Sequence, residues 1–170
     1  MITTRHIALT DIVPLGELTL SAITDAPSSA QELDEIPQSP LILGEEISLQ
    51  GDDYLSPIVA EISGDLAGFA AFERRSMARS AHVVEVRLLV HPEARGRGIG
   101  RRLLEEVTRR FEGHSEVHKL VMIVAADDAP LLRVVGSASG WVREQRCRAA
   151  WARGQVRVDV ESWANRDVRC

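Results

Sequence analysis

Apolar positions change their spacing several times along the chain, and each change marks an element. Ile2 to Leu9 alternates and predicts a first strand. Asp11, with Pro14 just behind it, marks a helix start, and Leu15, Leu18 and Ile23 give that helix an apolar face ending near Ala26 and Pro27. Ser28 with Gln31, and Ser29 with Glu32, fit capping boxes for a second short helix, ended by Pro37 and Pro40. Leu41 to Asp53 reads as a loop. Ser56 to Ile62 is apolar and β-branched, Ser63-Gly64-Asp65 is a turn, and Leu66 to Phe72 continues as the partner strand.

A polar connection from Arg74 to Ala81 leads into a third strong strand, Val83 to Val90, which His91 and Pro92 end. Ile99, Leu103, Leu104, Val107 and Phe111 then fall on one face at helical spacing. Arg101 with Glu105, Arg102 with Glu106, Glu105 with Arg109 and Glu106 with Arg110 stand four apart on the wet face, so Ile99 to Phe111 predicts a helix closed by Gly113. Lys119 to Ala125 is another apolar strand. Asp127 or Asp128 caps a following helix that carries Pro130 in its first turn, runs to about Ser139 and stops at Gly140. Trp141 to Arg146 and Gln155 to Trp163 read as a final pair of strands. This order gives a mixed α/β fold rather than a regular doubly wound sheet.

At 170 residues the chain fits one domain with a proper core. No run approaches the roughly 20 apolar residues of a membrane helix, and Met1 to Asp11 lacks the pattern of a signal peptide. The expectation is a cytoplasmic chain with no membrane partner. Cys147 and Cys170 have no metal-ligand spacing, and no two of His82, His91 and His118 form a zinc pair, so no metal is expected. Trp141, Trp151 and Trp163 read as core or interface residues. Charge is divided: residues 1–66 hold 12 acidic residues and one basic residue, Arg5, while residues 67–170 hold 13 acidic and 19 basic. An acidic half repels phosphate, which excludes nucleic acid as a partner. The division either solvates two surfaces or matches two ligands of opposite charge.

The chemistry concentrates in Val84 to Leu104, a strand, then Arg95-Gly96-Arg97-Gly98-Ile99-Gly100, then a helix. Glycines let backbone amides converge, and a helix N-terminus favours an anion by about 0.3–1 kcal/mol per charge. Arg95, Arg97, Arg101 and Arg102 add full charges, so the segment suits a pyrophosphate. It is not a nucleotide P-loop, because no Gly-Lys-Ser/Thr follows. It is not a dinucleotide fingerprint either, because Arg101 takes the third glycine position.

Arg95, Gly98 and Gly100, followed by Leu103 and Leu104 and preceded by Val90-His91-Pro92, resemble the acyl-CoA signature of the GNAT superfamily of N-acetyltransferases. The resemblance implies an α/β (α+β) fold whose mostly antiparallel central sheet, flanked by helices, is split by a V-shaped opening. It implies acetyl-CoA as cosubstrate. The amides of Gly96, Arg97, Gly98, Ile99, Gly100 and Arg101 would hold the coenzyme A pyrophosphate. Leu88, Leu89 and Val90 would bond the pantetheine arm through their backbone, and an amide near Leu88 would polarise the thioester. Residues 1–66 would supply the acceptor side, 67–145 the acyl-CoA core and 146–170 a strand region through which relatives often dimerise, leaving a homodimer open here.

Acetyl transfer needs a neutral amine. Deprotonating an alkyl ammonium about 3 pH units below its pKa costs roughly 4 kcal/mol, so a base or a water chain must help. Glu85, a carboxylate inside an apolar strand, is the candidate, and it resembles the strand glutamate of phosphinothricin-type acetyltransferases. Glu61 and Glu73 are rivals, and pairing with Arg87 is the purely structural alternative. Two family features are absent. Asp127 and Asp128 stand where an asparagine is usual, and Gly136 stands four residues before Gly140-Trp141, where a tyrosine commonly protonates the leaving thiolate. Ser137 or Ser139 through water, or Tyr54, remain as acids, and a coenzyme A thiol is acidic enough to leave without one. The acceptor is expected to be an amine of a small molecule or a peptide, cationic if the acidic half lines its site. The competing expectation is an acyl-CoA-binding sensor that does not turn over.

Overall fold

The computed structural model describes residues 1–25, 36–49 and 55–165. The proposed capping boxes, Tyr54 and Cys170 lie outside these residues. Seven strands run β1 (Ile2–His6), β2 (Ile58–Ile62), β3 (Asp65–Arg74), β4 (Val83–Val90), β5 (Lys119–Ala125), β6 (Trp141–Arg153) and β7 (Val156–Asn165). Four helices are α1 (Ile12–Asp25), α2 (Pro40–Leu49), α3 (Ile99–Phe111) and α4 (Ala129–Ser137). The strands form one sheet in the order β1-β2-β3-β4-β5-β7-β6. Every neighbouring pair is antiparallel except β4 and β5, which are parallel. The expected mixed, mostly antiparallel sheet flanked by helices is therefore present.

Strand alternation decides which helix covers which face. Val84 and Val86 of β4, and Leu120, Met122 and Val124 of β5, join Leu103, Leu104, Val107 and Phe111 of α3 in the larger core, which also takes Val135 of α4. Five α3 side chains at helical spacing, from Ile99 to Phe111, are at most 1% exposed. Burial of each stabilises by about 1.5–3 kcal/mol, an upper estimate. On the other face, Val59, Phe69 and Ala71 pack with Leu15, Leu18, Ala22 and Ile23 of α1 and Leu43 and Ile47 of α2, and Leu89 of β4 rests on that cluster.

Three expectations need correction. Residues 40–49 are helical, not a loop, and Pro40 opens the helix instead of ending one. Proline fits a first turn, where its missing N–H would be unpaired anyway. The helix also lies against α1 by glycine contact. A Cβ on Gly16 would stand 1.9 Å from the Pro40 carbonyl oxygen, and one on Gly44 would stand 1.8 Å from that of Ile12. The last strands are also longer than expected, since β6 continues past Arg146 to Arg153 and the hairpin turns at Gly154. Gly140 precedes β6, and α4 ends earlier, at Ser137.

Candidate active site

The expected opening lies between β4 and β5. Val83, Val84 and Glu85 pair with Lys119, Leu120 and Val121, and there the pairing stops. Antiparallel pairing with β3 meanwhile continues along β4 to Val90, opposite Gly68. Past Glu85, the β5-facing edge of β4 is therefore without a strand partner, and backbone groups there need a partner from water or a ligand. The opening widens into a cleft of about 750 Å³. Leu88, Leu89 and Val90 line it from one strand, and Met122, Ile123, Val124 and Ala125 from the other.

The glycine turn stands at the mouth. Gly96 and Gly98 have φ of 76° and 84°, in the left-handed region that favours glycine, and nothing lies within 4 Å of a Cβ built on either. Gly98 is the N-cap of α3, and the first helical bond runs from the Arg102 amide to the Gly98 carbonyl at 3.0 Å. The amides of Ile99, Gly100 and Arg101 precede that ladder, at the end of a helix where backbone N–H groups can receive an anion. Arg95, Gly96, Gly98, Ile99, Gly100 and Arg101 line the cleft, whereas Arg97 does not. Arg95 does not point freely at the cleft: its guanidinium holds the Asp25 carboxylate and donates to the Ala22 carbonyl at 3.4 Å, joining the end of α1 to the turn. Arg101 donates to Glu105 at 3.0 Å.

Glu85 lines the cleft on the α1 side of the sheet, with its side chain 26% exposed. Its cross-strand partners are Glu73 on β3 and Val121 on β5. Arg87, two residues along the same face, donates to Glu73 at 2.7 Å and stands 3.9 Å from Glu85. The rivals are placed elsewhere. Glu73 is exposed behind Arg87, and Glu61 accepts from Arg5 at the far side of the sheet, where Arg5 also holds Asp11. That bidentate hold keeps the Asp11 carboxyl below its ordinary value.

Three further cleft residues stand out: the sequence suggests Trp151 for core or interface, Asp128 for a helix cap and Ser137 as a candidate acid. Trp151 arrives from the far part of β6, and the sequence offered no signal for it. An irregularity between Cys147 and Trp151, with Ala149 at φ 49°, bends the hairpin. Asp159 supports the bend by accepting from the Ala149 amide at 2.9 Å, and this bond and Arg146 hold its carboxyl low. Arg153 then reaches Asp127 at 2.7 Å, so the hairpin tip rests on the β5–α4 junction and Trp151 faces the cleft. Asp128 is the second. Its Oδ1 accepts from the Leu131 amide at 3.0 Å and caps α4, while burial pushes its carboxyl above the ordinary value. Ser137 is the third; its hydroxyl donates to the Val134 carbonyl at 3.1 Å.

A Cβ built on Gly136 would stand 3.4 Å from Cη2 of Trp163, an ordinary contact, so the indole lies beside this position. Trp163 donates from Nε1 to Glu161 at 3.2 Å, and Glu161 is buried and held by Arg143 at 3.0 Å. Among the described residues no group of three His, Cys, Asp or Glu is placed to hold a metal ion, and no helix is long and apolar enough to cross a membrane.

The sequence profile of the acetyltransferase (GNAT) family matches residues 21–141. A GNAT superfamily phosphinothricin acetyltransferase from Sinorhizobium meliloti, solved with acetyl-CoA, is 19% identical with a TM-score of 0.83, over 96% of this chain and 86% of that one. A ribosomal-protein-alanine N-acetyltransferase from Brucella melitensis is 21% identical with a TM-score of 0.82, over 95% and 98%. An N-acetyltransferase from Staphylococcus aureus is 17% identical with a TM-score of 0.81, over 96% and 97%. At these identities the likeness to solved structures is one of fold. No curated protein matches the chain significantly.

Proposed function

Because this chain belongs to the acetyltransferase (GNAT) family, we propose that it moves acetyl from acetyl-CoA to a primary amine by direct attack of the amine on the thioester. The observation that carries the reading is the strand pairing that stops at Glu85, beside a glycine turn and a helix N-terminus. A linear arm with amides can add to the open edge of β4 as a strand would, and its pyrophosphate can meet the α3 amides. In this reading Leu88, Leu89 and Val90 bond the pantetheine, and Gly96 to Arg101 receive the pyrophosphate. Arg95 does so while tied to Asp25, and Arg97 acts only from outside the cleft. Residues 1–66 serve the acceptor side, 67–145 the acyl-CoA core, and the 146–170 region contributes Trp151. The exposed edge strand β6 is the surface on which a homodimer would form.

Glu85 serves as the base. The acceptor ammonium gives its proton to the carboxylate, and the freed lone pair attacks the thioester carbon. The carbon–sulfur bond then breaks as the attacking nitrogen gives up its second proton, through water, to the departing sulfur, leaving an amide and the coenzyme A thiol. An amide near Leu88 bears the developing oxyanion. A cationic acceptor is favoured by Glu85 in the cleft and by the face of Trp151, on which an ammonium can rest. Asp25 adds little, being held by Arg95, and so do Asp11 and Glu61, taken up by Arg5 at the β1–β2 edge of the sheet.

An amine panel with acetyl-CoA and thiol detection tests the reading. Gly136 at the position where relatives commonly carry a tyrosine to protonate the thiolate favours one rival, a protein that binds acyl-CoA without turnover; turnover of any amine excludes it. Salt tests the acceptor charge, since steering weakens as the Debye length shrinks to about 3 Å at 1 M. Cationic amines should lead the panel, and their kcat/KM should fall with salt. Neutral or acidic amines leading would refute the charge assignment.

A further inference from the structure

Glu73 lines no part of the cleft, yet it lies directly across the strand pair from Glu85. We propose that Glu73 and Arg87 are a positioning pair that sets how strong a base Glu85 is, with Glu73 holding the guanidinium back from it. The proposal rests on Glu85 being the base.

The geometry is unequal. Arg87 Nη2 donates to Glu73 Oε2 at 2.7 Å, a full charge-assisted bond, while Arg87 Nε stands 3.9 Å from Glu85 Oε1, beyond hydrogen-bond reach. Glu85 is the more sheltered carboxylate, with its side chain 26% exposed against 53% for Glu73. One cation thus serves two carboxylates that would otherwise repel each other across the strand pair.

Beyond the pair, Arg75 stands past Glu73 at the end of β3, opposite Val83, and Arg95, Arg101 and Arg133 line other parts of the cleft. On β5, Val121 faces Glu85 and Ile123 follows, both apolar, and Lys119 on the same side is held by both oxygens of Glu144 at 2.9 and 2.6 Å. On β4, Val83 and Leu89 flank the pair on the same face. Asp25, at the end of α1, is occupied by Arg95. The hairpin presents Trp151, which carries no charge.

Removing either partner has opposite consequences. With Glu73 neutral, the guanidinium can close the remaining gap onto Glu85, and a carboxylate bound to a guanidinium is a weaker base. With Arg87 neutral, two facing carboxylates are left together, and such a pair holds a proton more tightly. A merely structural contact would not produce shifts of opposite sign.

The test is kcat/KM against pH with the best amine of the panel, in the full chain. Glu73→Gln should move the acid limb to lower pH and lower the plateau about 3–5-fold, the scale of a half-exposed ion pair. Arg87→Met should move the acid limb to higher pH. The double variant should recover at least half of the plateau lost in Glu73→Gln, and neither change should alter what rate remains in Glu85→Gln. Limbs that move the same way, or a double variant no better than Glu73→Gln, would overturn the positioning pair alone. An undisturbed profile in Glu85→Gln would overturn the base assignment, and the pair with it.

Discussion

Gly98 offers the cleanest perturbation of the cofactor site, because a second glycine on the same helix serves as its control. Gly98 has φ 84° at the N-cap of α3, and Gly113 has φ 70° just past the C-terminus. A Cβ at either meets nothing within 4 Å. An alanine forced into this region costs roughly 1–2 kcal/mol. Stiffening of the unfolded chain offsets about 0.4–1 kcal/mol of that. Both Gly98→Ala and Gly113→Ala should therefore lose about 1 kcal/mol or less, a Tm change of about 2–4 °C at this size. They part over ligand. The 13 residues of α3 separate them by about 20 Å. At Gly98 the new methyl enters the space in front of the first α3 amides, where the phosphates are proposed to sit. Loss of one amide–phosphate bond, at about 1.5–3 kcal/mol, weakens binding about 10–150-fold. Calorimetric titration with acetyl-CoA and with coenzyme A should show that loss in Gly98→Ala, a larger one in Gly98→Trp, and none in Gly113→Ala. Equal affinity in Gly98→Trp and wild type would refute the assignment of the loop.

Glu85→Gln should lower kcat/KM about 10²–10⁴-fold at neutral pH and less at high pH, where the amine is already neutral; a uniform small loss would move proton removal to water. Trp151→Ala should raise the acceptor KM about 3–30-fold with the acetyl-CoA KM unchanged, and Trp151→Phe should recover most of it; an altered acetyl-CoA KM instead would place the indole on the cofactor. Asp11, held low by Arg5, contributes stability that is present above the ordinary carboxylate value and lost as pH falls through its lowered value. Asp11→Asn should thus cost about 1–3 kcal/mol at neutral pH and little in strong acid. Asp128 has the opposite sign. Its value is raised by burial, so its cost appears as pH rises from the ordinary value through the raised one, and Asp128→Asn should stabilise at neutral pH but not in strong acid. Denaturant melts at several pH values check both.

The most legible parts of the fold were those where local pattern and tertiary demand agree. Val83 to Val90 and Ile99 to Phe111 were read with their observed boundaries, because β-branched alternation, paired surface charges and glycine punctuation all point one way. The second helix was missed for a tertiary reason. Gly44 looks like a helix breaker until the Ile12 carbonyl is seen against it, and Leu41-Ile42-Leu43 shows no single apolar face. Trp151 was missed because its bend is made by Ala149 in a left-handed conformation, held by an aspartate ten residues away, with no glycine to announce it. The strand–turn–helix around the glycine loop, and a carboxylate at Glu85 inside an apolar strand, could be read from the sequence, whereas the division of Arg87 between Glu73 and Glu85 depends on strand register.

The three-pair join between β4 and β5 also bears on how the chain assembles. β1 to β4 and β5 to β7 are each contiguous in sequence, and within each half all the pairings are antiparallel. The β2–β3, β3–β4 and β6–β7 pairings can be built by local closure, while the one parallel join needs a crossover and the β1–β2 and β5–β7 pairings span connections of similar or greater length. Here the crossover is α3, which lies against β1 to β4, shares one core with Val84 and Val86 of the first half and Met122 and Val124 of the second, and is tied to the second half where Trp141 Nε1 donates to Thr108 at 3.1 Å. The helix that opens with the anion-binding amides is thus also the splint that keeps a bisected sheet in one piece. The division can stay open at one end because its cohesion comes from the layer beneath, not from the strands that border it.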